Sequence, residues 1–136
     1  KALGNLMAER VKTHWYKTQS LPDVILPVPL HRQRLRERGF NQAIEISRPL
    51  TKKLGIPVDI DGAIRTRQTA AQSGLSAAER RHNVAGAFEI TRDYSQMTVA
   101  ILDDVITTGH TIRAFSKAVR AAGASQIHIW CCARRS

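Results

Sequence analysis

The sequence is poor in the residues that build several whole classes of protein. It has two cysteines, Cys131 and Cys132, which are adjacent. By themselves two neighbouring thiols supply neither a disulfide framework nor a four-ligand zinc site, and they read as small buried residues on a strand. A cytoplasmic location is therefore expected. Aromatic residues make up 5% of the chain, which leaves few platforms on which single-stranded bases could stack. No apolar run approaches the roughly 20 residues that cross a bilayer, and no charged head with an apolar run behind it opens the chain, so no membrane insertion is expected. Neither G-x-x-x-x-G-K-[ST] nor G-x-G-x-x-G occurs, which removes the P-loop and the dinucleotide fingerprint. The first residue is Lys1, so what precedes it is open.

What is present is base. Lys and Arg number 21 against 11 Asp and Glu, for a formal charge of +10. An anionic partner follows, whether nucleic acid, a membrane surface or a small polyphosphate, and net charge alone does not choose among them. The 136 residues suit one domain, spanning 1–136.

The pattern of elements is alternating. Leu3, Met7, Val11 and Trp15 recur every four residues and predict an amphipathic helix over the first 19 residues that packs on the domain's own sheet, with a homodimer contact as the alternative. Asp23 to Pro29 reads as a short strand, followed by a basic loop. Ala43, Ile46, Leu50 and Leu54 predict a helix closed by Gly55 and kinked at Pro49. Ile56 to Asp61 reads as a short strand, the stretch from Arg65 to Gly74 as a loop, and Ser76 with Glu79 as a capping box opening a short helix. Gly86 to Ile90 forms another strand. Met97 to Leu102 hardly alternates and suits a central parallel strand covered on both faces. Ile112, Phe115, Val119 and Ala122 predict a helix ended by Gly123, and Ser125 to Cys132 a last strand. The expected fold is therefore α/β, an open, mainly parallel sheet with helices on both faces, binding ligand beyond the carboxyl ends of its strands.

One stretch sits at such an end: "VAILDDVITTGHT", Val99 to Thr111. Gly109 can adopt positive φ, and Thr107, Thr108 and Thr111 offer hydroxyl donors where a helix begins, so the turn is suited to a phosphate monoester. Carboxylates beside a phosphate would repel it unless something between them needs acceptors. The hydroxyls of a ribose meet that need, and Asp103 and Asp104 would hold them.

This stretch resembles the phosphoribosyl pyrophosphate (PRPP) motif of the type I phosphoribosyltransferases. The resemblance implies that fold, with Asp103 and Asp104 on the ribose and Thr107, Thr108, Gly109, His110 and Thr111 around the 5-phosphate. It also implies Mg2+ as cofactor, carried by the pyrophosphate with no direct protein ligation predicted. "PVPLHRQRLRERGFNQA" and "RTRQTAAQSGLSAAERRHNVAGAF" are similar to the competence protein F family, a phosphoribosyltransferase-like group associated with DNA uptake. That family commonly carries a cysteine-rich zinc module ahead of this domain, and this chain lacks those cysteines. His31, Arg32, Arg38 and Arg67 would meet the pyrophosphate, with Arg65 and Gln72 as weaker candidates. Arg67 and Asp104 would be catalytic. Threonine at 107, where purine-salvage enzymes typically have aspartate, is closer to the orotate enzymes. The expected function is Mg-dependent binding or transfer of PRPP. The alternatives are a non-catalytic DNA-handling factor, whose partner would be single-stranded DNA or a protein of the competence machinery, and a PRPP sensor.

Overall fold

The computed structural model describes residues 2–12, 20–66, 87–106 and 108–134. In chain order its elements are α1 (Ala2–Arg10), β1 (Val24–Pro27), α2 (Arg32–Arg38), α3 (Gln42–Leu54), β2 (Ala63–Arg65), β3 (Phe88–Ile90), β4 (Thr98–Ile106), α4 (His110–Ala121) and β5 (Gln126–Arg134). The main sheet is parallel, in the order β1-β4-β5, and β2 pairs antiparallel with β3 as a separate ribbon.

The apolar run around β4 has no polar face because both faces are covered. Val99 and Ile101 join Val24, Leu26 and Val28 of the β1 segment under Ile112, Phe115 and Val119 of α4. Their neighbours Ala100 and Leu102 point the other way, into a second core with Ile25, Trp130, Met7, Ala8, Val11, Ile46 and Leu50. Side chains alternate across a strand, so one buried strand feeds two cores. Phe88 of the ribbon packs on Phe115 with ring centroids 4.8 Å apart, which ties β3 to α4.

Four local readings change. The stretch after β1 is partly helical: Arg, Gln, Leu and Glu are good helix formers, His31 Nδ1 accepts from the Gln33 amide, and Gly39 at φ +79° ends the turn. Its residues from Arg32 to Phe40 are all exposed, so no apolar stripe betrays it. The stretch from Ile56 to Asp61 makes only a single parallel bridge, Val58 to Ile25. Pro57 has no amide to donate, and the Asp61 amide turns back to Asp59 Oδ1 at 3.2 Å. In α1 the buried face is Gly4, Met7 and Ala8, continued by Val11 just after it, while Leu3 is 48% exposed. Gly4 lets α1 approach α3 closely: a Cβ there would collide with Pro49 Cγ and lie 2.7 Å from the Ile46 carbonyl oxygen. Finally, Arg65 closes strand β2 where a loop was expected to begin; the helix closed by Gly55 forms as expected and spans Pro49. Trp15 and the capping box at Ser76 fall outside the described residues, as does most of the loop after Arg65.

Candidate functional site

Strands of unequal length create the site. β1 ends at Pro27, opposite Leu102, whereas β5 continues beside β4 to Arg134. Asp103 and Asp104 are thus still within β4, not beyond it, and are held by the ladder on one side only. On the β1 side the chain turns away after the Val28 amide bonds to the Leu102 carbonyl at 2.9 Å. The gap is a cavity of about 150 Å³ whose lining includes Arg38, Asn41, Gln42, Arg65, Asp103, Asp104, Thr108, Gly109 and Thr111.

The two acids fasten their own backbone. Asp103 Oδ1 accepts from the Asp104 amide and Asp104 Oδ1 from the Val105 amide, each at 2.9 Å. Burial, a hydrogen bond to Asp104 and the charge of Asp104 push the Asp103 carboxyl up to about 7. Two carboxylates this close behave as one unit that retains a proton near neutrality.

Arg65 answers them from β2. Its guanidinium lies over the Phe88 ring, 5.2 Å from the centroid. Burial lowers its pKa, which the charge of Asp103 opposes and that of Arg34 reinforces. Even so a guanidinium keeps its proton at any physiological pH, so Arg65 is a fixed positive charge facing the acidic pair.

Across the cavity α4 begins at Gly109, whose φ of +86° suits glycine. Gly109, at the N-cap, has no side chain with which to cap the helix, and among the described residues Thr108 Oγ1 accepts from the His110 amide at a long 3.4 Å. Amides at the positive end of a helix dipole are donors suited to an anion. Arg113 adds a cation, with Nη2 3.8 Å from the position a Gly109 Cβ would take. Asn41 fixes the third wall: its Oδ1 accepts from the Ala43 amide at 2.9 Å, capping α3, and its Nδ2 donates to the Val28 carbonyl at 3.2 Å.

A profile of the phosphoribosyl transferase domain matches residues 38–136, which includes every strand and turn of this cavity after α2. The chain belongs to the phosphoribosyl transferase domain family. It is 40% identical over 126 residues to Competence protein F of Haemophilus influenzae, a match covering 90% of this chain and 54% of that protein. With DNA utilization protein YhgH of Escherichia coli it shares 38% identity over 114 residues, covering 84% of this chain and 50% of the relative. The chain therefore spans about half the length of these curated relatives. Among solved structures it is similar to the glutamine PRPP amidotransferase of B. subtilis, complexed with ADP and GMP, at a TM-score of 0.61 and 23% identity over 96% of this chain and 25% of that one. Purine phosphoribosyltransferase from Pyrococcus horikoshii superposes with a TM-score of 0.54 and 22% identity, covering 98% and 70% of the two chains. These likenesses show the type I phosphoribosyltransferase fold.

Within this phosphoribosyl transferase domain, the acidic pair, Thr108, Gly109, Thr111 and Arg38 meet in one cavity, and Arg65 joins them. His110 opens α4 but is not in the lining, while His31 and Arg32 line a neighbouring cavity instead. Arg67, Gln72 and Thr107 lie outside the described residues. Sequence reasoning missed Asn41, Gln42 and Arg113. An Asn directly before a helical run is a capping pattern that could have revealed Asn41, and the one-turn spacing from Gly109 points to Arg113.

Proposed function

We propose that this domain binds phosphoribosyl pyrophosphate and transfers its phosphoribosyl group to an acceptor. The observation that carries the reading is the meeting, in one cavity, of an acidic pair and a helix start at a positive-φ glycine. The 5-phosphate would take the amides opening α4, the Thr108 and Thr111 hydroxyls and the charge of Arg113. The ribose hydroxyls would donate to Asp103 and Asp104. Arg38 and Arg65 would face the pyrophosphate, together with Arg67, which lies outside the described residues. In transfer, the bond from the anomeric carbon to pyrophosphate breaks with its electron pair leaving on the pyrophosphate, a bond to the acceptor forms, and the acceptor loses its proton. Arginines placed on the leaving group, and a ribose held in line, lower that barrier.

Magnesium fits the donor set. The cavity lining has two carboxylates, and among the described residues no cluster of three or more His, Cys, Asp or Glu forms a protein cage. Magnesium commonly binds one or two carboxylates plus substrate phosphates. Magnesium would be carried by the diphosphate and neutralise its charge, with Asp103 and Asp104 facing it from the ribose side of the cavity.

Calorimetric titration of PRPP with and without magnesium, on the wild type and Asp104→Asn, tests the reading. Magnesium-dependent binding that the substitution weakens is expected, and absence of binding to the wild type refutes it. The names of the relatives, competence and DNA utilization, together with the charge of +10, support a role in DNA handling. Direct contact with DNA would rest on phosphates and fall steeply with salt, so filter binding that shows no complex even at low ionic strength removes that part.

A further inference from the structure

The arginines of α2 are spaced by two, which on a helix divides them between opposite faces: Arg32 with Arg36, and Arg34 with Arg38. The structure uses both faces. Arg38 lines the cavity of the acidic pair, and Arg34 is near enough to Arg65 to act on its charge. Arg32 and Arg36 line a different cavity, of about 800 Å³, between α2 and β2. We propose that this outer cavity is a second anion-binding site, shaped for an organic phosphate with a flat apolar body, with nucleoside monophosphates as the ligand class.

Its walls differ in chemistry. On the α2 side stand His31, Arg32 and Arg36, with Leu35 beside them; on the other side Ile60 and Ile64, which are 51% and 50% exposed. Among the described residues neither arginine makes an ion pair, and Asp61 is the one carboxylate in the described lining. Because His31 Nδ1 accepts the Gln33 amide, the neutral ring carries its proton on Nε2, a donor suited to an anion. An inorganic anion would leave the isoleucines wet, and a purely apolar ligand would strip two arginines of water without replacing it. A phosphate joined to a heterocycle satisfies both walls. The volume lies in the range of about 300 to 1,000 Å³ usual for small-molecule sites. Leu30, Asn41 and Arg65 line both cavities, so the two sites share a wall.

Isoleucine methyl groups separate the sites in one NMR experiment. Ile44, Ile60 and Ile64 line the outer cavity, and Ile106 and Ile112 the inner one. Adenosine monophosphate added to methyl-labelled protein should shift the first three, and Arg32→Ala with Arg36→Ala should weaken that response about tenfold while Asp104→Asn leaves it unchanged. Shifts confined to Ile106 and Ile112, or none at all, overturn the proposal. So does inorganic phosphate moving the outer methyls with equal affinity, because the apolar wall would then contribute nothing. The proposal does not depend on PRPP binding, since the inner methyls report that separately.

Discussion

Replacing Asp103 by asparagine should stabilise the empty protein, by an amount set by pH. Burial, its hydrogen bond to Asp104 and the Asp104 charge place the Asp103 carboxyl near 7 in the folded protein, against about 4 in an unfolded chain. Between these values the folded state keeps a proton that the unfolded chain has released, so stability falls as pH rises. The contribution is fully present below about pH 4 and lost by about pH 7, with a ceiling of about 4 kcal/mol over the window. The cavity opens to solvent and the pair relaxes together, so we expect about 2 kcal/mol between pH 5 and pH 8. Urea unfolding of wild type and Asp103→Asn at both pH values measures it directly. The variant's advantage should grow by about 2 kcal/mol from pH 5 to pH 8, a midpoint change of about 1 M for a domain of this size. An advantage that is the same at both pH values would refute the reasoning, because Asp103 would then ionise as an ordinary exposed carboxylate.

Gly109→Ala should cost about 1 kcal/mol through the strain of positive φ, seen in thermal unfolding, and should weaken ribose 5-phosphate binding about fivefold in calorimetry. Asn41→Ala removes a helix cap and strands the Val28 carbonyl, so a loss of about 2 kcal/mol is expected in urea unfolding, with Asn41→Asp recovering only the cap. Gly4→Ala drives a methyl into Pro49 and the Ile46 carbonyl and should cost about 2 kcal/mol, whereas Leu3→Ala on the exposed face of the same helix should change stability by less than about 0.5 kcal/mol.

The parts of the fold that were legible are those whose burial is written in a period. β4 reads as a two-faced buried strand because its apolar residues do not alternate, and α4 as a helix because Ile112, Phe115 and Val119 return every turn. The turn at Gly109 was legible for a different reason: a glycine between a strand end and a helical run marks a position of positive φ, and Gly109 has φ +86°. α2 was not legible, since all its residues face solvent and its helix rests on propensity and two caps. Nor was the reach of β4 past its acids, which depends on β5 being longer than β1, a fact about pairing that no local pattern contains. The division of the arginines between two cavities likewise becomes visible only once α2 is a helix.

The most direct test of the central claim is the position of a bound sugar phosphate. In a crystal structure with ribose 5-phosphate, the phosphate should lie within hydrogen-bonding distance of the amides opening α4 at Gly109 to Thr111, with the sugar hydroxyls on Asp103 and Asp104. A sugar phosphate bound elsewhere, with that turn left to water, would contradict the account.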